Sequence, residues 1–366
     1  MSSNYLFYTL LKILIKYDKI ITTIIFLKRG EKMKAYSIKD APIKVFGVPF
    51  FNKTKKLTRL PDDVIQKIPS LDFLGRRCPG GRICFRTNSE NITLKFKLQT
   101  LSIDIGMSIY SCQSAFVFVG DKSSSRFLGI ANAYNYESKE FERTFKKSSD
   151  MEDITVLLPR NEIIDEVTVI IDDNAEIEAP TPYKYSKPIL YYGSSITEGG
   201  ISCNPSSAYN AIISRHLDVD YYNFGFSGNA KGELEMADYI NTIDFSIFVY
   251  DYDHNAPSAE HLKATHEPFF KRIREKNPFV PVVMMTRPAA VYGDDEKARR
   301  DIVKATYDNA VLAGDKNVYF IDGECFFKDF RDRELCFIDT VHPNDLGFYK
   351  MAEIVEPVIK SILEKQ

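Results

Sequence analysis

An antiparallel β-sandwich followed by a doubly wound α/β sheet is the fold class the sequence predicts. Three observations predict it. From Lys34 to about Glu178 the apolar residues come in short alternating runs punctuated by turn residues, as half-buried antiparallel strands require. From Pro188 onwards they come in continuous runs separated by longer segments of helical spacing, as parallel strands covered on both faces require. Between the two, EIEAPTPYKYSK (176–187) carries two prolines and no periodicity. At 366 residues the chain is longer than one ordinary core organises. The expected division is a sandwich over 33–178, a linker over 179–187 and an α/β domain over 188–366.

In the first region ITLKFKL (92–98) and SIDIGMSIY (102–110) alternate apolar and polar residues, and AFVFVG (115–120) does so less strictly. ITVLLP (154–159) and EVTVIID (166–172) continue the style. Pro79-Gly80-Gly81, Asp121-Lys122-Ser123 and Asp172-Asp173-Asn174 separate such runs. Short strands at this spacing suit a sandwich of jelly-roll type. No internal repeat is apparent.

In the second region the strands are read at ILYY (189–192), DYYNFGF (220–226), FSIFVYDY (245–252), VPVVMMT (280–286) and VYFID (318–322). Helical spacing falls at 206–217, 230–241, 258–275, 294–313 and 345–364. Five alternating βα units imply an open, right-handed, flavodoxin-like sheet. Ligands of such sheets bind beyond the carboxyl ends of the strands, which directs the search for chemistry there.

Composition narrows the classes. Hydrophobic residues are 44% and charged residues 27%, as in soluble globular protein. A net charge of -2 provides no field for nucleic acid or an acidic membrane. With no Trp, 21 Tyr and 26 Phe must fill the cores and any sugar-stacking surface. Cys78, Cys84, Cys112, Cys203, Cys325 and Cys336 form no CxxC pair and no zinc spacing, so reduced thiols in a cytoplasmic protein are expected. Residues 4–27 are apolar but interrupted by Lys12, Lys16, Asp18 and Lys19, too often for a spanning helix. No small-residue cleavage site follows. The first 32 residues read either as a weak amphipathic anchor, which leaves an anchored or exported form open, or as an extension ahead of a true start at Met33; the second is preferred because domain patterning begins there.

Four strand ends carry reactive groups. The first reads Tyr192-Gly193-Ser194-Ser195-Ile196-Thr197, where Gly193 permits a tight turn and Ser195 reaches the start of the next helix with its amide aimed at a developing oxyanion. The second ends in Ser227-Gly228-Asn229, where Gly228 brings a bare N–H close to a substrate. The third ends in Asp253-His254-Asn255-Ala256-Pro257, where an Asn amide can face negative charge. The loop after the fifth contains Asp339-Thr340-Val341-His342-Pro343, whose spacing lets a carboxylate hold one imidazole nitrogen while the other faces Ser195. Each alone is an ordinary turn; together, in chain order on one sheet, they are the nucleophile, oxyanion donors, base and base-orienter of acyl transfer. Asp251, Asp253 and His254 lack further ligands, so no metal is expected.

GSSIT around Ser195, NFGFSGN around Gly228, DHNAP around Asn255 and DTVHP around His342 resemble the four blocks of the SGNH (GDSL-like) hydrolases, in order, over about residues 188–364. The resemblance implies Ser195 as nucleophile, His342 and Asp339 as the rest of a triad, and the Ser195 and Gly228 amides with Asn255 as the oxyanion hole. Ser194 stands where GDSL members carry Asp, and the third block lacks the usual Gly-Asn-Asp. A sandwich ahead of YYGSSITEGG is similar to the two-domain subgroup of GxDLY type, which GMSIY (106–110) matches in part.

The expected activity is therefore a serine esterase acting on small acyl esters, acetyl before others, with carbohydrate as the alcohol part. The alternatives are a short-chain lipid or thioester acylhydrolase and a non-catalytic carbohydrate-binding protein. His254 and Arg287 are candidate substrate-binding residues, although an ion pair is the simpler role for Arg287. His216 reads as a helix-end residue, and His261 and His266, five apart on one helix, as poor metal ligands. The expected partner is a small-molecule or glycan ester, with a second copy of the chain a candidate. No cofactor, nucleic acid or membrane is expected.

Overall fold

The computed structural model describes residues 33–366 except 103–105, 134 and 136. The reading of the first 32 residues lies outside the described residues, as does the Ile103–Ile105 part of the SIDIGMSIY strand. The rest of that run corrects the expectation: Ile109–Gln113 is helix, and Cys112 N–H donates to Ser108 O at 3.1 Å. Gly106 takes φ +86°, which interrupts any extended run.

The first domain is a sandwich of antiparallel strands. One sheet has the order β1 (Met33–Ser37), β9 (Ile164–Asp172), β4 (Asn91–Leu98), β7 (Glu140–Lys146). The other has β10 (Ile177–Glu178), β3 (Arg82–Thr87), β8 (Glu152–Leu157), β5 (Ala115–Val119), β6 (Arg126–Ala131), with β2 (Lys44–Phe46) also on β3. Alternation does what period two demands: Val167, Val169 and Ile171 of β9 are fully buried while Glu166, on the other face of the strand, is exposed. These meet Leu94 and Phe96 of β4 and Phe85, Ile154, Val156 and Val117 from the facing sheet in one dry core.

The second domain is a five-stranded parallel sheet: β12 (Val219–Gly225), β11 (Tyr185–Gly193), β13 (Ile247–Asp251), β14 (Val282–Met285), β15 (Val318–Ile321). Strand order reverses between β11 and β13, which opens a crevice at their carboxyl ends. Helices 209–217 and 345–363 bury Ile213, Met351, Val355 and Ile359 on one face, against Tyr191 and Val249. Helices 234–240, 259–276 and 294–312 bury Met236, Leu262, Phe269 and Val303 on the other, against Tyr192, Phe248 and Tyr250. Among the described residues no helix is long and apolar enough to cross a membrane.

The two halves are not separated at the linker. β11 begins at Tyr185 and β10 ends at Glu178, so only 179–184 lies between strands. Leu60, Val64, Ile65, Leu71 and Leu74, far upstream, pack into the α/β core beside Phe224 and Tyr239 rather than into the sandwich. The excursion from 59 to 74 thus carries part of the N-terminal half onto the second domain, at the edge where β12 ends.

Candidate active site

Gly193 closes β11 where a side chain has no room: a Cβ there would overlap the Asp251 carboxylate and the Thr197 hydroxyl. The next residues form a single helical turn, Ser195–Glu198, capped by Ser194, whose Oγ accepts the Ile196 amide at 3.1 Å. Ser195 is the first residue of that turn, so its own N–H has no partner within the helix. Its side chain is turned across the end of the sheet.

The loop following β15 returns to meet it. Asn344 caps helix 345–363, its Oδ1 accepting the Gly347 amide at 3.2 Å, and Ile338 N–H donates to His342 O at 3.1 Å, which folds 338–342 into a closed hairpin. Inside it Asp339 accepts the Val341 amide at 2.7 Å, the His342 amide at 2.6 Å and His342 Nδ1 at 2.8 Å. Partial burial pushes this carboxyl up, but the bonds from the His342 amide, its imidazole and the Val341 amide outweigh it and hold Asp339 below the usual carboxylate range. An ionised carboxylate can only accept, so the imidazole proton sits on Nδ1 and Nε2 keeps its lone pair. That lone pair faces Ser195 Oγ at 2.9 Å. The structure therefore brings Ser195, His342 and Asp339 into one hydrogen-bonded line.

On the other side, β12 runs into Phe226-Ser227-Gly228, where Gly228 is exposed at φ +67° with open space where a Cβ would stand. Asn255, after β13, donates Nδ2 to Phe226 O at 2.9 Å, which spends one amide hydrogen on this turn and leaves the other. His254 beside it is nine-tenths buried; Nδ1 lies 3.3 Å from Asp253 Oδ1, and Nε2 is enclosed with no hydrogen-bond partner. Burial, opposed by Asp253, holds its pKa below the usual histidine value. Arg287 is occupied: its guanidinium pairs with Glu296 and its amide donates to Asp253 Oδ2 at 3.2 Å. His216 pairs through Nδ1 with Glu356 at 2.8 Å at a helix end, and all six cysteines are free thiols.

The groups that sequence reasoning missed lie beneath these. Asp251, at the end of β13, is buried and accepts from the Thr197 hydroxyl, the Ser194 amide and Tyr209 OH. Burial pushes its carboxyl up to about 8, with Asp253 adding to the rise against those hydrogen bonds. Glu198 and Arg59 form a second buried pair. An acid at the end of the apolar strand β13 was the available signal for Asp251; Arg59, among Lys55, Lys56, Thr58 and Asp62, carried none.

Residues 186–360 match the model of the GDSL-like lipase/acylhydrolase family, and residues 33–177 match that of the GxDLY N-terminus of SGNH-hydrolase-type esterases. No curated protein matches the chain. Among solved structures, it is similar to a Bacteroides ovatus protein described as a GDSL-like lipase, with 22% identity, a TM-score of 0.81, and 91% of this chain and 98% of that one covered. It is similar to the salicylyl-acyltransferase SsfX3 of a tetracycline biosynthetic pathway, with 18% identity, a TM-score of 0.76, and 90% and 97% covered. An acetyl xylan esterase of the rumen bacterium Butyrivibrio proteoclasticus aligns with 12% identity, a TM-score of 0.56, and 90% and 99% covered. At these identities the structures speak for the fold alone. The two family models, placed end to end on a sandwich and a doubly wound sheet, give the conclusion: this chain belongs to the SGNH (GDSL-like) hydrolases, in the two-domain GxDLY form, and is an esterase or acylhydrolase.

Proposed function

We propose that the protein is a serine esterase that removes small acyl groups, acetyl first, from carbohydrate or other small-molecule esters. The observation that carries the reading is the line Ser195 Oγ, His342 Nε2, Asp339, with contacts of 2.9 and 2.8 Å. Ser195 Oγ attacks the ester carbonyl while His342 Nε2 takes its proton. The carbonyl oxygen gathers negative charge opposite the Ser195 and Gly228 amides and the Asn255 amide hydrogen not used by Phe226 O. Collapse breaks the C–O bond and His342 returns the proton to the departing alcohol. Water then repeats the sequence on the acyl-enzyme, releasing the acid. Asp339 stays ionised throughout and stabilises the imidazolium.

Acetylated carbohydrate is favoured by analogy with the acetyl xylan esterase fold. One observation favours larger acyl groups instead: Ile338, beside Asp339, is 51% exposed and Leu335 56%, an apolar rim for a short chain. A panel of acetylated oligosaccharides and p-nitrophenyl esters from acetate to octanoate, with Ser195→Ala as the blank, decides. Acetyl release from the glycans, with kcat/KM falling as chain length grows, is the expected result. Rates equal to the Ser195→Ala blank on every ester would remove the nucleophile assignment, and a maximum at longer chains would replace the acetyl reading.

A further inference from the structure

Beneath the second strand end lies a buried charge cluster that the triad does not use. Arg59 comes from the N-terminal half and is wholly enclosed. Its guanidinium donates to Leu74 O at 2.7 Å, Arg77 O at 3.1 Å, Asn223 O at 2.8 Å and Gly225 O at 2.6 Å, and stacks on the Phe226 ring at 4.5 Å. Burial lowers its pKa to about 10, which leaves it charged at neutral pH. Its counter-charge is Glu198, the last residue of the Ser195 helical turn, with Oε1 3.9 Å from the guanidinium and in no hydrogen bond. Glu198 Oε2 accepts both the Ser227 amide, at 3.0 Å, and the Ser227 hydroxyl. Ser227 is the residue before Gly228. Gly225 completes the joint, since a Cβ there would overlap the Glu198 amide.

We propose that Arg59 and Glu198 are positioning residues for the oxyanion hole: Glu198 couples the helical turn bearing Ser195 to the turn bearing Gly228 through Ser227, and Arg59 sets a buried counter-charge beside Glu198 and holds β12 in register. The physical reason is geometric. Two amides on separate loops stabilise one oxyanion only if their spacing is held to a fraction of an ångström. A side chain at Gly228 would meet nothing within 4 Å, so packing on that side does not fix the turn. A carboxylate with two donors from Ser227, itself on the nucleophile's helical turn, ties the two amides together directly. An amide in place of that carboxylate accepts less strongly and gives Arg59 no counter-charge. The N-terminal half thereby takes part in catalysis without touching substrate.

This assignment rests on the nucleophile reading above, and its test separates the two. Hydrolysis of p-nitrophenyl acetate and inhibition by phenylboronic acid, which forms a tetrahedral adduct on a serine, are measured for wild type, Ser195→Ala, Glu198→Gln and Ser227→Ala, with Tm of each. Glu198→Gln is expected to lower kcat ~10- to 100-fold with KM within about twofold, less than outright loss of a donor. The phenylboronic acid Ki should rise by the factor by which kcat/KM falls. Ser227→Ala, which removes one of the two bonds and leaves both buried charges in place, should move kcat and Ki together by a few-fold with a smaller fall in Tm than Glu198→Gln. Wild-type kcat and Ki in Ser227→Ala would overturn the proposal whether or not Glu198→Gln folds. So would a folded Glu198→Gln whose Ki stays put while activity falls. Full activity in Ser195→Ala would instead overturn the nucleophile reading.

Discussion

The two sides of the site are built in opposite ways. The His342 side is local and wet: Asp339 finds the Val341 amide, the His342 amide and the His342 ring within three residues of itself, and its side chain is 50% exposed. The Ser195 side is dry and mostly non-local: Ser195 is 8% exposed and sits with buried Asp251, Glu198 and Arg59, of which Glu198 closes its own helical turn while Asp251 and Arg59 come from distant elements. The contrast teaches how each is held. A five-residue loop can orient an imidazole by its own hydrogen bonds, since water satisfies what is left over. Donors for an oxyanion must be rigid and shielded from solvent, and that takes partners brought from elsewhere in the chain.

Substitutions can break this contrast or sharpen it. The largest effect belongs to His342→Ala, expected to lower kcat by roughly 10,000-fold or more, because among the described residues the base hydrogen-bonded to Ser195 Oγ is His342. Steady-state hydrolysis of p-nitrophenyl acetate reads this, and retention of a tenth of the activity would contradict the assignment. Asp339→Asn should be about 10- to 100-fold milder, since water reaches that side chain and the loop is held partly by backbone. Losses as deep as those of His342→Ala would show that the exposed side is as intolerant as the buried one. Gly228→Ala comes next. The new methyl meets open space, so the cost is the left-handed backbone, about 1 kcal/mol of stability, and a roughly tenfold fall in kcat as the amide tilts. Denaturant unfolding and kinetics together check it.

The smallest effect at neutral pH contrasts two histidines. His342 is partly exposed, whereas His266 is buried under Tyr250, bonded to Thr306 Oγ1 at 2.8 Å, with its pKa lowered by burial to about 3. Its folded value lies below the unfolded one, near 6.5. Below that pH the unfolded chain takes a proton that the folded chain refuses. Stability from this group is therefore intact above about pH 6.5 and falls as pH drops towards 3, by up to ~1.4 kcal/mol per pH unit. Urea midpoints at pH 7 and pH 5 should drop more for wild type than for His266→Gln; equal drops would exclude His266 as the cause.

Much of this was legible from residue order. Period-two runs located β4, β5, β8 and β9, and apolar runs located all five parallel strands, because burial on one face or two leaves different patterns. SIDIGMSIY misled because alternation in composition is not a strand when a glycine takes positive φ in its midst; Gly106 instead lies against Ile201 and Ile338 of the other domain. Ser195, Gly228, Asn255, Asp339 and His342 were singled out because each follows a strand of one sheet, in the loop or at the helix start beyond its carboxyl end. Arg59 and Glu198 were not, since a lone charge in sequence reads as surface, and Asp251 was weighed only as a metal ligand.

By itself the sequence determined the two fold classes, the sheet at whose strand ends to look and the short Asp339–His342 loop, all of which depend on neighbours within a few residues or on periodic burial. Tertiary structure alone decided that His342 Nε2 meets Ser195 Oγ across 147 positions of chain, and that Arg59 from the N-terminal half lies under Gly225 and Phe226. The reason is physical. Periodicity records which faces are dry, but the partner of a buried charge is chosen by the packing of whole elements, and one residue type carries no record of which distant one will neutralise it.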